Sequence, residues 1–189
     1  MSMTPQQSAS GTAALGWEEF LELPEDGNRY EILDGELVVT RPPAIRHQRV
    51  VLALTRILDG HIVRHGLGEL FANPVAVRLA EKTIVEPDLL FIARERADIV
   101  AELSVNGAPD LVVEILSPST AKRDRTVKAQ LYARLGVSHY WLLDPQERRL
   151  QAFALDGGEY RCAIVLDGNA PFEPSLFPGL VIDLGSVWA

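Results

Sequence analysis

Leu111-Val112-Val113-Glu114-Ile115-Leu116 is an aliphatic run with a single carboxylate set inside it. A run this short and this apolar reads as a fully buried strand. Burying Glu114 is costly unless a cation, a metal or a hydrogen-bond donor compensates it, so its position points to chemistry. Upstream, Glu86-Pro87-Asp88-Leu89-Leu90-Phe91-Ile92 repeats the arrangement, with Asp88 leading into a second β-like run. Downstream, the residues between Glu114 and 135 are rich in Lys and Arg, which places a basic helix beside the acids in sequence. Acids together with a lysine suit metal-assisted phosphodiester hydrolysis.

Working outward, Ser117-Pro118-Ser119-Thr120 supplies a helix start, Val127, Leu131 and Leu135 a helical stripe, and Gly136 a stop. Tyr140-Trp141-Leu142-Leu143 is the next strand, and strand, helix, strand at this length fits a crossover to a parallel neighbour. Toward the N-terminus, 70–79 and 84–92 read as two strands joined by the turn at Glu81-Lys82-Thr83, and 93–109 as a polar excursion. Val50, Val51, Leu54, Ile57, Leu58 and Ile62 recur at helical spacing, giving a long helix over 44–65 that Gly66 and Gly68 end. Asp34-Gly35, favoured where both turn residues need positive φ, predicts a hairpin of 29–33 with 36–40. Trp17, Phe20 and Leu21 form a short amphipathic helix before it. At the other end, 149–165 reads as a hairpin turning at Asp156-Gly157-Gly158, followed by a Pro-rich segment. The expected architecture is α/β: a mixed central sheet flanked by helices, with N-terminal and C-terminal hairpins, all in one domain over 17–189.

The 189 residues, 47% apolar and 23% charged, are ordinary globular composition. No apolar run is long enough for a membrane-spanning helix. Residues 1–16 are rich in Ser, Thr, Gln, Ala and Gly without a signal-peptide pattern, and read as a disordered tail on a cytoplasmic protein. The lone Cys162 rules out an internal disulfide and reads as a small core residue. A net charge of -8 argues against a surface that binds nucleic acid everywhere, so the local distribution of Lys and Arg decides.

Taken together, Tyr30-Glu31-Ile32-Leu33-Asp34-Gly35-Glu36-Leu37, Arg46-His47-Gln48, Glu86-Pro87-Asp88, the stretch Pro109 to Thr120, and Tyr140-Trp141-Leu142-Leu143-Asp144-Pro145 carry a resemblance over about 17–188. The chain resembles the PD-(D/E)XK nuclease superfamily, and within it the Uma2-type (DUF820) restriction endonuclease family. That resemblance implies that Asp88 and Glu114 bind Mg²⁺, for which Mn²⁺ substitutes, and that the ion activates a water against a phosphodiester. It implies DNA as the nucleic-acid substrate and a homodimer. One departure is plain: the pattern expects Lys two residues after the glutamate, where Leu116 stands. Some members supply the amine from the following helix, which points to Lys128, with Lys122 as its competitor near the helix start. The resemblance also places Glu31 near the site as a third acid, while His47, opening the long helix on its apolar side, is a candidate to contact a phosphate or a metal-bound water.

Each of these residues has a plainer reading beside the functional one. Asp88 after a proline suits a turn or cap. Glu114 suits a buried ion pair with Arg123, Arg125 or Lys128. Glu31 in a hairpin strand suits a solvent-facing position, and His47 a structural histidine with one partner. His61 and His65 have zinc-pair spacing but no third ligand, and read as a solvated helix edge. Lys122, Arg123, Arg125 and Arg134 read as the wet face of a helix, with DNA-backbone contact the sharper alternative. Asp110 lies roughly 13 Å from Glu114 at strand rise, too far to share an ion. Trp17, Tyr132 and Trp188 suit either an interface or the core. Three functions compete: a Mg²⁺-dependent DNA endonuclease, a catalytically silent module of the same fold that binds nucleic acid or protein, and a metal hydrolase of small phosphate esters.

Overall fold

Along β8 (Leu111–Ile115) every residue is buried, and period two sorts the side chains onto two faces. The computed structural model describes residues 14–189. In chain order the elements before β8 are α1 (Trp17–Leu21), β1 (Arg29–Leu33), β2 (Glu36–Thr40), α2 (Ile45–His65), β3 (Gly68–Ala72), β4 (Val77–Ala80), β5 (Thr83–Val85), β6 (Leu89–Ala93), a 3₁₀ segment (Arg94–Ile99) and β7 (Val105–Asn106). After it come α3 (Ala121–Arg123), a π-helical turn (Asp124–Lys128), α4 (Ala129–Arg134), β9 (His139–Asp144), β10 (Arg149–Asp156), β11 (Glu159–Asp167), β12 (Pro171–Phe172), β13 (Ile182–Asp183) and α5 (Leu184–Val187).

β8 is an inner strand of a six-stranded mixed sheet ordered β11-β10-β9-β8-β6-β3. It runs parallel to β9, as the crossover through the helix at 121–134 requires, and antiparallel to β6. Leu111, Val113 and Ile115 pack with Leu89, Phe91, Trp141 and Leu143 under Val50, Leu54, Leu58 and Ile62 of α2, and the C-terminal residues Phe172, Phe177 and Leu184 close the same layer. Val112 and Leu116 face the other way, with Leu90, Ile92, Tyr140 and Leu142, against Leu131 and Tyr132. The helix end at Gly66 is left-handed at φ 59, and Asp34 and Gly35 both have positive φ, at 52 and 88.

The two strands expected over 70–79 and 84–92 are four. Each segment breaks at a proline, which cannot donate to a ladder, and changes sheet there. Pro74 separates β3 from β4, and Pro87 separates β5 from β6. β3 and β6 stay in the six-stranded sheet, while β4 and β5 join a second sheet of order β2-β1-β5-β4-β7. The expected N-terminal hairpin forms, and it belongs to this second sheet. Of the expected tail, 1–13 lie outside the described residues, while Leu15 donates its N–H to the Gly35 carbonyl at 3.1 Å and packs with Ile32 and Ile84. Cys162 is exposed, not a core residue, because it stands on β11 at the sheet's edge.

Val127 is likewise exposed, and the helical stripe runs instead through Asp124, Lys128, Leu131 and Tyr132. The π turn explains the difference, since its wider loop alters which residues follow one another down a face. No described helix is long and apolar enough to cross a membrane.

Leu54, fully buried between α2 and the sheet, tests this packing. Leu54→Ala is expected to lower stability in urea denaturation by about 2–5 kcal/mol. A loss well under 1 kcal/mol would contradict a tightly seated α2.

Candidate active site

The register of β6 on β8 pairs Leu89 with Val113 and Leu90 with Val112. One step further along the antiparallel pair, Asp88 stands opposite Glu114, and both share the face of Leu90 and Val112. Pro87 ends the ladder there. The Ile115 N–H is taken by Asp88 Oδ2 at 2.7 Å, which fixes the carboxylate against the strand. Its other oxygen accepts from Arg29 Nη2 at 2.5 Å and lies 3.2 Å from His47 Nε2. Asp88 thus does cap a strand end, and it also holds two basic groups.

Glu114 is 2% exposed and Lys128 1%. Lys128 Nζ sits between two carboxylates, bonded to Glu31 Oε1 at 2.8 Å and paired with Glu114 Oε1. Tyr132 OH donates to Glu114 Oε1 at 2.8 Å. Glu31 Oε1 also accepts the Glu86 N–H at 3.0 Å, so Glu31 is a buried member of the cluster rather than a solvent-facing residue. Arg29 Nη1 lies 4.0 Å from Glu114 Oε2. One guanidinium therefore stands against both Asp88 and Glu114.

Acids outnumber bases in this cluster. Burial pushes the Glu114 carboxyl up to about 8, against the pull of Lys128, with Asp88, Asp124 and Glu31 adding to the rise. Burial disfavours the Lys128 ammonium too, but Glu114, Glu31 and Asp124 outweigh it and hold its proton above the ordinary lysine range. The lysine is therefore charged, and the Glu114 carboxyl takes up a proton more readily than an ordinary carboxylate. Asp88 goes the opposite way. Burial alone would raise it, yet the His47 hydrogen bond and the Arg29 charge bring it down to about 2. Burial raises Glu86 to about 6 and also raises Asp124.

Of these groups Arg29, His47, Asp88, Glu114, Asp124 and Lys128 line a cavity of about 230 Å³, together with Arg123 and the hydroxyl-bearing loop at 117–120. Among the described residues no three His, Cys, Asp or Glu side chains converge in a metal-holding group. Two hard carboxylates facing one another at a cavity wall are still the donor set that Mg²⁺ uses, with waters and substrate phosphate as its remaining ligands. Arg29 shows that Asp88 and Glu114 are close enough to share a cation, and the acid excess leaves charge for a divalent ion to balance. The residues fit such an ion.

Asp88, Glu114, Lys128, Glu31 and His47 come together, whereas Lys122 is exposed on the outer side of the helix. Asp110 is bound elsewhere, to Arg96 Nη1 at 2.9 Å. His61 is buried against Phe177 and is not at a solvated edge, because α2 turns that face to the C-terminal segment. Arg123 is half-buried with Nη2 on Thr40 Oγ1 at 2.9 Å, not part of a wet face, and its Nε is buried without a partner. Tyr132 is fully buried under Glu114 and unavailable to an interface. Arg29 is the member that sequence reasoning missed. Its signal was present, since Arg29 and Glu31 alternate onto one face of β1.

Two measurements test this electrostatic account. Lys128→Ala leaves two carboxylates buried without their ammonium and is expected to lower stability by about 3–5 kcal/mol. For Glu114, the folded carboxyl keeps a proton that the unfolded chain releases above about 4.5. Its contribution is full below that pH and lost as pH rises through about 8. Thermal melts of metal-free protein should therefore fall in midpoint across that window, and Glu114→Gln should flatten the fall. An unchanged slope in the variant would contradict the assignment.

An uncharacterized protein of Synechocystis sp. is 27% identical over 137 residues, covering 70% of this chain and 76% of the relative. The crystal structure of "a putative nuclease belonging to DUF820" from Anabaena variabilis superposes with a TM-score of 0.76 at 20% identity, covering 92% of this chain and 97% of that one. Residues 17–185 match the family Uma2, described as "Putative restriction endonuclease". With nearly the whole chain matched and the mixed sheet shared with a solved relative, the protein belongs to the Uma2 family.

Proposed function

We propose that the protein is a Mg²⁺-dependent DNA endonuclease, with Mn²⁺ able to substitute, acting from a cytoplasmic homodimer whose two sites would serve two strands. The reading rests on one observation: Asp88 and Glu114 stand opposed on adjacent strands, at a cavity wall, facing a shared cation and a buried lysine. Bound between them, Mg²⁺ would polarise the scissile phosphate and lower the pKa of the attacking water.

The chain's own residues supply the rest. The Ile115 N–H and His47 hold Asp88 in place and ionised, ready to act as a ligand. Lys128 and Tyr132 hold Glu114 from behind, so its other oxygen is left toward the cavity. Glu31 fixes the lysine, and the ammonium brings positive charge to the place where the phosphorane builds up negative charge. Arg123, whose Nε is buried without a partner, lines the cavity as a cationic donor suited to a substrate phosphate.

A second reading, a catalytically silent module that binds nucleic acid or protein, is favoured by a specific fact. Leu116 replaces the expected lysine, and Lys128 is engaged by two carboxylates. Nicking of supercoiled plasmid in Mg²⁺ or Mn²⁺ separates the two. Wild type is expected to nick, and Glu114→Gln and Asp88→Asn to lose at least about 10²-fold while keeping their fold by circular dichroism. Cleavage surviving in both variants overturns the endonuclease reading.

A further inference from the structure

Away from the acid cluster, a cavity of about 320 Å³ is lined by Arg46, Arg49, Gln146, Arg148 and Trp188. The chain has 26 Asp and Glu against 18 Lys and Arg, so a cation has many acids to choose from. Arg29, Arg96, Arg125, Arg134, Arg149 and Arg161 each take one, yet among the described residues Arg46, Arg49 and Arg148 have no carboxylate within 4 Å. Three guanidinium groups converge on one cavity, which Pro145 and Ala189 also line, and none of the three pairs with a carboxylate among the described residues.

Two features show that this convergence runs against local preference. Arg46 and Arg49 lie one turn apart at the start of a 21-residue helix, whose positive pole disfavours cations, and the first turn carries no acid. Arg148 has φ 48, the left-handed region that side chains other than glycine seldom adopt. Asp144 stabilises that turn by accepting the N–H groups of Gln146 and Glu147 at 3.0 and 3.1 Å. Trp188 is held by its Nε1–H on the Gly168 carbonyl at 2.6 Å, fixing a flat apolar wall beside the guanidiniums. Strain of this kind at a charged pocket suits a bound anion. Forked guanidiniums suit phosphate oxygens in particular.

Position narrows the source of the phosphate. Arg46 lines this cavity and its neighbour His47 lines the acid cavity, so the two open on either side of one helix start. We infer that the arginine cavity binds a backbone phosphate of the same nucleic-acid strand whose scissile phosphate enters the acid cavity, with Trp188 against the adjoining sugar or base. The inference rests on the nucleic-acid reading above. It also accounts for nucleic-acid binding by a chain of net charge -8, because the positive charge is concentrated in one track.

The test uses fluorescence anisotropy of a short labelled DNA, duplex and single-stranded, over a salt series. The protein is Glu114→Gln, which leaves substrate uncleaved, with and without Arg46→Gln/Arg49→Gln/Arg148→Gln. The triple substitution is expected to weaken binding at least about tenfold and to flatten the logarithmic salt slope by about 0.9 for each phosphate that the arginines no longer neutralise. The thermal midpoint should not fall, because none of the three side chains has an ion pair to lose and two of them stand at the positive pole of a helix. A lysine triple should recover the salt slope but not the full affinity. Equal affinity and slope with and without the triple substitution overturns the site. If inorganic phosphate raises the melting temperature of the wild type but not of the triple variant, while DNA affinity is equal in both, the cavity is a free-phosphate site and the inference falls. The outcomes separate the two readings. Loss of binding in the triple variant alongside a wild type that cleaves nothing leaves the site standing and removes the endonuclease. Cleavage by wild type with unchanged binding in the triple variant does the reverse, and no DNA binding at all overturns both.

Discussion

Lys128 is the pin through this structure. Its ammonium ties Glu31 on β1 of one sheet to Glu114 on β8 of the other, from a helix that packs over both. Three elements distant in sequence therefore have one allowed arrangement, since any relative shift would leave a carboxylate buried without its cation. A well-packed apolar trio at these positions would often be as stable or more so. The chain keeps charge there, and with it a net acid excess, a Glu114 carboxyl whose affinity for a proton burial raises, and an Asp88 held ionised by its neighbours. Two opposed carboxylates with opposite proton affinities are the pair on which the proposed chemistry rests.

The backbone does much of the positioning. Asp88 and Glu114 face one another because β6 and β8 are antiparallel neighbours in that register. Their separation is thus fixed by main-chain hydrogen bonds that do not depend on which aliphatic residues flank them. The other half comes where the ladder ends: beyond Leu89–Val113 the Ile115 N–H donates to a side chain, and the side chain that takes it is the one facing the cavity. This economy is compatible with a fold held at 20% identity to a solved relative.

What could be read in advance followed the strength of local signals. Asp34-Gly35, the spacing of Val50 to Ile62 and the Asp156-Gly157-Gly158 turn each announce an element whose bounds the structure reproduces within a few residues, because turn stereochemistry and helical period are local. The sheet exchange at Pro74 and Pro87 is not local. A strand that changes partners keeps its apolar pattern, and only the proline marks the place. Glu114 was legible as an oddity among aliphatics, and Lys128 came through family likeness rather than through spacing. Arg29 went unseen because a charged residue at a hairpin start looks solvated until the second sheet folds over it. Val127 and Cys162 differ from expectation for one reason: apolar character does not by itself bring burial, and a π turn and a sheet edge put both outside.

The edge that exposes Cys162 has a further consequence. β11 is long, ends the six-stranded sheet and presents unpaired backbone groups, which is the geometry through which chains stick together into insoluble ladders. The strand is guarded. Arg161 and Asp167 form exposed ion pairs along it, Glu159 begins it, and a bulge opposite Ala152 and Phe153 breaks its flatness. The same side chains that add little to the stability of the folded chain blunt the edge against pairing with another strand.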